Sequence, residues 1–244
     1  MSPAAAPTLL PPAFDAWFAA RGWTVRPHQL AMIEAASRGE DALLIAPTGG
    51  GKTLGGFLPS LIELAGLAAA SPKNRSHRLH TLYISPLKAL SVDVARNLTI
   101  PVTEMGLDLR IETRTGDSSP SKRQRQRASP PDILLTTPEQ LALFCASPNV
   151  SSFFADLRHI VIDEIHALAP QKRGDLLSLA LAAISRWAPQ ARRVGLSATI
   201  MDEAELARWL ARQSPGDPSR AAAIIRGAPG ARPQVEILNP KERI

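Results

Sequence analysis

The sequence feature that most constrains the fold is a glycine-rich segment between a predicted strand and a predicted helix. Residues 46–53 read Ala-Pro-Thr-Gly-Gly-Gly-Lys-Thr and follow the aliphatic run 43–45. In this context glycines let backbone N–H groups turn inward around phosphate oxygens, and the following helix directs its N-terminus at them. Ala46 stands where most such loops have glycine. The segment nevertheless predicts a phosphate-binding loop, and its candidate ligand residues are Thr48, Gly49, Gly50, Gly51, Lys52 and Thr53.

The chain around this loop alternates short aliphatic runs with amphipathic stretches. Short aliphatic runs flanked by turn or polar residues are typical of buried parallel strands. The strand-like runs are 42–45, 81–84, 109–112, 133–135, 160–162 and 194–196, and helical patterns lie between them at 54–67, 87–105, 176–187 and 203–210. A repeated strand–helix–strand order predicts an α/β fold, with a mostly parallel sheet and helices on both faces.

Composition shifts suggest three segments. Residues 1–12 are rich in alanine and proline and are expected to form a disordered tail. Residues 13–213 form the predicted α/β domain, which opens with one or two helices. The turn-rich sequence that follows predicts a linker over 214–244, with strand-like runs at 223–225 and 235–238 that lead toward a second domain absent from this chain.

Two acids end one of the aliphatic runs. Asp163 and Glu164 directly follow residues 160–162. Two carboxylates at the end of an apolar strand are unfavourable unless a cation is present. In a site with a phosphate-binding loop, Asp163 would hold Mg²⁺, together with the Thr53 hydroxyl, and Glu164 would orient and deprotonate an attacking water. The alternative is that Asp163 caps a helix.

Charge and cysteine content restrict the partners and the compartment. The chain has 244 residues, a net charge of +6 and a sequence pI of about 10.1. A basic surface favours nucleic acid as a partner, although an arginine-rich composition also reflects the base composition of a gene. The single cysteine, Cys145, cannot form an internal disulfide, which fits the cytoplasm. The N-terminus does not resemble a signal peptide, and proline or charge interrupts the apolar runs, so no membrane segment is predicted.

The order of further motifs resembles that of the superfamily 2 helicases. Residues 163–166 read Asp-Glu-Ile-His, and 197–199 read Ser-Ala-Thr after another predicted strand. Further segments are similar to the long helicase-related (Lhr) group and, within it, to the bacterial ligase-associated DExH helicases. These segments are Ser85–Leu90, Arg114–Asp117, Thr136–Leu141 and Lys172–Asp175. The similarity extends over about residues 14–240.

This resemblance implies a RecA-like P-loop NTPase domain that binds ATP and Mg²⁺. Lys52, Asp163 and Glu164 would be the catalytic residues, and Gln29 would read the adenine. His166, Ser197 and Thr199 would couple nucleotide state to nucleic acid; the alternative for His166 is a structural imidazole. Contacts with the nucleic-acid backbone are expected at Pro86, Lys88, Thr115, Gly116, Thr137 and Pro138, residue types that suit phosphate contact without reading sequence.

The function implied by the resemblance is that of the motor domain of an ATP-dependent DNA helicase. Movement in the 3′-to-5′ direction along single-stranded DNA, a role in DNA repair and an association with DNA ligase or other repair factors follow from the family only. Superfamily 2 motors close two RecA-like domains around ATP, so residues 1–244 alone are expected to hydrolyse ATP slowly or not at all. The alternatives are an RNA helicase, a non-unwinding translocase and a nucleotide-gated nucleic-acid-binding module.

Other residues receive no functional prediction. The basic run 122–127 carries charges around a probable helix, which favours a solvated face over a nucleic-acid contact. His28, Cys145 and the four tryptophans are interpreted as structural, and the sequence shows no cluster of metal-ligand residues.

Overall fold

A computed structural model describes residues 10–70, 78–199, 202–213, 217 and 219–228. The helices are α1 (Pro12–Ala20), α2 (Pro27–Ser37), α3 (Lys52–Ala70), α4 (Lys88–Glu104), α5 (Pro120–Ala128), α6 (Pro138–Cys145), α7 (Ser151–Phe154), α8 (Ile165–Leu168), α9 (Lys172–Trp187) and α10 (Glu203–Leu210). The strands are β1 (Ala42–Ile45), β2 (Thr81–Ile84), β3 (Ile111–Arg114), β4 (Ile133–Thr136), β5 (His159–Ile162), β6 (Arg192–Ser197) and β7 (Ala223–Arg226).

The seven strands form one sheet in the order β3-β4-β2-β5-β6-β1-β7, and every pair is parallel. Successive residues of a strand point to opposite faces, and each face is covered by helices. On β1, Leu43 packs in a core with Leu177 of α9, whereas Leu44 packs in a second core with Phe57 of α3. The predicted α/β fold with helices on both faces is therefore confirmed.

Several predicted boundaries differ from the structure. Strand β3 begins and ends two residues later than predicted, and just before it the Asp132 side chain accepts the Arg110 N–H at 2.8 Å. Residues 10–12 are not part of a disordered tail, since Leu10 is buried and α1 begins at Pro12. Strand β7 pairs with β1, so residues 223–226 complete this sheet and are not linker. The strand-like run 235–238 lies outside the described residues.

Helix α3 is continuous over 19 residues, although Pro59 lies within it. It also contains the charged residue Glu63. Its mean hydropathy of 1.4 and its length are those of a helix able to cross a membrane. Its largest apolar side chains, among them Phe57 and Leu61, are fully buried against the sheet and against α2. Packing in the domain core therefore accounts for its apolar composition.

A polar cluster lies where β2, β5 and β6 begin. Glu63 Oε2 is 2.8 Å from His159 Nε2 and 3.3 Å from His80 Nε2, a grouping of possible metal ligands that the sequence analysis did not predict. The Arg192 guanidinium donates to Glu63 Oε1 at 2.6 Å and lies 2.9 Å from His159 Nε2. Because the Arg192 guanidinium already places a positive charge beside Glu63, we infer that this cluster stabilises the fold.

This cluster predicts a loss of stability in mild acid. Burial lowers the pKa of His159 to about 4, despite the hydrogen bond to Glu63. The folded pKa of His159 lies below the unfolded value of about 6.5. Between these two pH values the unfolded chain therefore binds more protons than the folded one. The free energy of unfolding should therefore fall by about 2 kcal/mol between pH 7 and pH 4.5. Urea unfolding at both pH values tests this, and a His159→Gln variant should show a flatter pH profile. An unchanged slope in that variant would contradict the assignment.

Candidate functional site

The carboxyl ends of the parallel strands bring the predicted site segments to one edge of the sheet. The glycine-rich loop follows β1, the acid pair follows β5, and Ser197 ends β6. The predicted nucleic-acid residues follow β2, β3 and β4. Because the strand order is β3-β4-β2-β5-β6-β1, the edge divides into two adjacent halves, one for each predicted ligand. Such crevices at the carboxyl ends of strands are where ligands bind in open α/β sheets.

The glycine-rich loop adopts a conformation that side chains would prevent. Gly49 and Gly51 have φ values of 74° and 76°. The Gly50 N–H donates to the Pro47 carbonyl oxygen at 2.8 Å, and a Cβ on Gly50 would lie 2.6 Å from that oxygen. Lys52 is the first residue of α3 and is 8% exposed. Within the described residues it forms no ion pair with a carboxylate.

Gln29 of α2 contacts the loop from the side. Its Oε1 accepts the Arg26 N–H at 3.0 Å, and its Nε2 donates to the Gly51 carbonyl oxygen at 3.3 Å. One amide proton and one acceptor site remain for a ligand. His28, which received no functional prediction, also lies beside the loop: it is buried, its Nε2 has no hydrogen-bond partner in the described part of the chain, and burial lowers its pKa.

The Asp163 carboxylate is held by two hydrogen bonds. Its Oδ2 accepts the Tyr83 hydroxyl proton at 2.6 Å, and its Oδ1 accepts the Glu164 N–H at 2.9 Å. Burial, followed by the negative charge of Asp163, raises the pKa of Tyr83, so the phenol remains a donor. Tyr83 was not among the predicted site residues. The signal available was that the chain's only tyrosine lies near the end of a buried strand.

Glu164 has a left-handed backbone, with φ of 46°. This conformation is unfavourable for a residue with a Cβ and persists only where its surroundings enforce it. The turn separates the directions of the two acids: Asp163 is bonded back to β2, whereas Glu164 Oε2 lies 3.5 Å from His166 Nδ1. Glu164 therefore combines an unfavourable backbone conformation with a contact to His166, one of the predicted coupling residues.

His166, Ser197 and Thr199 form a connected chain. The Ser197 hydroxyl donates to the Thr199 carbonyl oxygen at 2.9 Å and lies 2.7 Å from His166 Nδ1. Because the hydroxyl has one proton, His166 Nδ1 is the donor to Ser197. The three residues predicted to act together are thus in contact, and the chain extends to Glu164.

Arg173 connects the predicted nucleic-acid segments; it lies in the Lys172–Asp175 motif but received no functional prediction from the sequence. It donates from Nη2 to the Pro86 carbonyl oxygen at 2.7 Å and from Nε to Glu139 Oε1 at 2.5 Å. Burial opposes ionisation of Glu139, but the hydrogen bond from Arg173 prevails and lowers the Glu139 pKa. The neighbouring Gly174 has no room for a Cβ, which would lie 2.6 Å from the Ala169 carbonyl oxygen. The start of α9 is therefore fixed against α8.

The other predicted nucleic-acid residues differ in exposure. Gly116 and Lys88 are exposed, and Lys88 Nζ lies 2.7 Å from Asp117 Oδ2 in a surface ion pair of little energetic weight. Thr115 and Thr137 are each 7% exposed. Thr115 and Thr137 could therefore contact a ligand only through the small part of each residue that is exposed, whereas Gly116 and Lys88 are accessible.

Replacing Tyr83 with phenylalanine should weaken metal binding at Asp163. The variant keeps the ring in the core and removes the hydroxyl that donates to Oδ2. Loss of a group that orients a metal-binding carboxylate typically weakens metal affinity about 10- to 100-fold. The Mg²⁺ concentration that supports half-maximal binding of a fluorescent ATP analogue measures the effect, and nucleotide binding without Mg²⁺ is the control. Equal Mg²⁺ dependence in both proteins would exclude a positioning role for Tyr83.

The chain is similar to helicases of the Lhr type. It is 40% identical over 205 residues to the ATP-dependent helicase Lhr-Core of Methanocaldococcus jannaschii, covering 80% of this chain and 24% of that protein. It is 36% identical over 253 residues to the Lhr helicase/uracil glycosylase of Escherichia coli, covering 96% of this chain and 16% of that protein. The chain therefore spans at most about a quarter of these relatives. The predicted resemblance to the Lhr group is confirmed, and its ligase-associated branch stays a prediction.

The structure agrees with these similarities. The Mycobacterium smegmatis helicase Lhr, solved bound to single-stranded DNA and AMP-PNP, matches with a TM-score of 0.78 and 35% identity, covering 90% of this chain and 28% of that one. The sequence profile described as DEAD/DEAH box helicase matches residues 26–207, which include the glycine-rich loop, the acid pair and Ser197–Thr199. The chain therefore belongs to the DEAD/DEAH box helicase family.

Proposed function

We propose that this chain is the ATP-binding motor domain of an ATP-dependent DNA helicase of the Lhr type. The observation that carries the proposal is the division of the sheet edge. The phosphate loop and the acid pair occupy the half formed by β1, β6 and β5, and the nucleic-acid segments occupy the adjacent half formed by β2, β4 and β3. A motor needs this proximity, because ATP hydrolysis on one half must change the affinity of the other half for the nucleic-acid strand.

The residues of the nucleotide half fit ATP and Mg²⁺. A buried lysine without a carboxylate partner suits an anionic ligand, because an uncompensated buried charge is unfavourable. Lys52 would bind the β- and γ-phosphates, and Gln29 would bind the adenine. Thr53 and Asp163 supply the oxygen ligands that Mg²⁺ prefers, and the ion would neutralise developing charge on the phosphates. Glu164 would orient and deprotonate the attacking water.

Hydrogen bonds within each half, and the one from Tyr83 of β2 to Asp163 after β5, support coupling between the halves. Glu164, His166, Ser197 and Thr199 form one polar chain, so a change in the position of Glu164 would reach the segment after β6. Arg173 holds the segments after β2 and β4 together. A rearrangement of either connection would alter the surface that carries Pro86 and Gly116.

The wider assignments are also proposals. Residues 13–213 together with β7 would form the first motor domain, and a second RecA-like domain would complete the ATP site. The greater length of the relatives supports that second domain. Single-stranded DNA is the proposed substrate because the similar Mycobacterium smegmatis helicase was solved with it. Cytoplasmic location, 3′-to-5′ polarity, a repair role and association with DNA ligase rest on the family resemblance.

The proposal is tested by ATP hydrolysis and strand displacement with the full-length protein. Single-stranded DNA should stimulate hydrolysis more than RNA of the same sequence, and a duplex with a single-stranded tail should be unwound. Stronger stimulation by RNA would replace the DNA assignment with an RNA helicase. Stimulated hydrolysis without unwinding would indicate a translocase. Nucleotide-dependent DNA binding without hydrolysis would indicate a binding module.

A further inference from the structure

The basic run of α5 divides into two faces in the structure. Arg125 forms two hydrogen bonds with the Glu112 carboxylate, at 2.7 and 2.9 Å, and Lys122 donates to Thr113 Oγ1 at 3.3 Å. Arg123 and Arg127 lie one helical turn apart and line a pocket on another side of the helix. The four charges therefore have different surroundings. On a uniformly solvated helix they would be equivalent.

The pocket contains three arginines and no ion-paired acid. Arg123 and Arg127 share it with Arg114, which ends β3, and its volume is about 580 Å³. None of these three arginines forms an ion pair with a carboxylate in residues 10–70, 78–199, 202–213 or 219–228. Glu112, two residues before Arg114 on β3, is already bonded by Arg125 and by a side-chain amide. The pocket therefore has an uncompensated positive charge.

Arg114 is the least satisfied of the three. It is 5% exposed, and its Nη1 has only long contacts of 3.4 and 3.5 Å, to the Arg123 carbonyl oxygen and to Gln126 Oε1. Its Nε and that of Arg123 are buried and have no hydrogen-bond partner in the part of the chain that the structure describes. Its guanidinium lies 4.1 Å from the centre of the Phe144 ring. Burial, followed by the charges of Arg127 and Arg123, lowers the pKa of Arg114 to about 10.

Such an arrangement suits an anion. Like charges one helical turn apart are destabilising, and a buried charge requires a partner of opposite sign. The planar guanidinium matches phosphate oxygens with two parallel hydrogen bonds, and several arginines together neutralise one phosphate group. A phosphate in the pocket would relieve the mutual repulsion of the arginines.

The position of the pocket identifies the source of the phosphate. Arg123 Nη2 donates to the Thr115 and Gly116 carbonyl oxygens, at 3.3 and 3.0 Å, so one wall is bonded to a predicted nucleic-acid segment. The other wall is formed by α6, which begins at Pro138, directly after Thr137. The pocket thus lies beside two of the segments proposed to contact the nucleic-acid backbone, and Arg123 is bonded to one of them.

We infer that the pocket formed by Arg114, Arg123 and Arg127 binds a backbone phosphate of the nucleic-acid strand, beyond the contacts of the Gly116 and Pro138 segments. This inference rests on the proposed function, because it assumes that a strand crosses this half of the edge. The pocket would add a contact that recognises the charge of a phosphate and not the identity of a base. A motor that moves along a strand requires such sequence-independent contacts.

The salt dependence of DNA binding tests the inference. The affinity of this chain for a fluorescently labelled single-stranded oligonucleotide is measured by anisotropy between 50 and 200 mM salt. Arg127→Ala should weaken binding about 5- to 10-fold at low salt and reduce the slope of log affinity against log salt by about 0.7, the value for one phosphate contact on a single strand. Arg127→Lys should keep most of the slope, because it keeps the charge.

Arg125→Ala is the matched control, since Arg125 lies on the same helix but is paired with Glu112. It should leave the slope unchanged. Arg127 is exposed, so its replacement should leave the thermal midpoint unchanged, and Arg127→Gln replaces the alanine variant if that one unfolds. An unchanged slope in a folded Arg127 variant would overturn this inference alone. Failure of the wild-type chain to bind either DNA or RNA would overturn the nucleic-acid assignment as well.

Discussion

Replacing Glu164 with glutamine is expected to reduce ATP hydrolysis by about 10²- to 10⁴-fold, the usual contribution of a general base. Glutamine keeps the size of the side chain and removes its ability to accept a proton from water. Glu164 is held at the junction of β5 and α8 by a left-handed backbone, and its carboxylate lies near His166. Nucleotide binding should change little, because Lys52 and Asp163 remain in place.

The measurement is the steady-state hydrolysis rate of the full-length protein with saturating single-stranded DNA, together with the affinity for an ATP analogue. The control is Glu34→Gln, which changes an exposed glutamate of α2. Its rate should equal that of the wild type. If Glu164→Gln retains more than about a tenth of the wild-type rate, Glu164 is not the base.

Replacing Lys52 with alanine is expected to weaken binding of an Mg²⁺–ATP analogue by roughly 10- to 150-fold, or about 1.5–3 kcal/mol for a hydrogen bond to a charged group. Lys52 is buried at the start of α3 and has no carboxylate partner within the described residues, so it is available to phosphate oxygens. The same substitution should not unfold the chain, since it removes an unpaired charge from a buried position.

Titration calorimetry on this chain measures the affinity, with and without single-stranded DNA. Lys88→Ala is the matched control, because Lys88 is exposed and paired with Asp117 on the nucleic-acid half. In the titration without DNA, it should leave nucleotide binding unchanged. Equal affinities of the wild type and Lys52→Ala would place the nucleotide elsewhere. Binding detectable only in the full-length protein would show that the second domain is needed to form the site.

The two halves of the sheet edge differ in how far the sequence predicted them. In the nucleotide half, the loop after β1 and the acids after β5 are contiguous motifs, and their types and order were sufficient to predict their placement. In the other half, the predicted residues lie at the expected strand ends. The arginines that hold or extend them received no role from the sequence, although Arg114 and Arg173 lie in two of its motifs and the run 122–127 was interpreted as a solvated face. Arg173 contacts residues distant in the chain, and Arg114 meets Arg123 and Arg127 only when β3 and α5 pack together.

The sequence alone determined the α/β class, the parallel strands, the glycine-rich loop and the acid pair, because each depends on residue types close together in the chain. Only the tertiary structure decided the strand order, the inclusion of β7 in the sheet, the bond from Tyr83 to Asp163 and the charge of the arginine pocket. The physical reason is that hydrophobic periodicity specifies which face of an element is buried, whereas strand neighbours and charge partners depend on long-range packing.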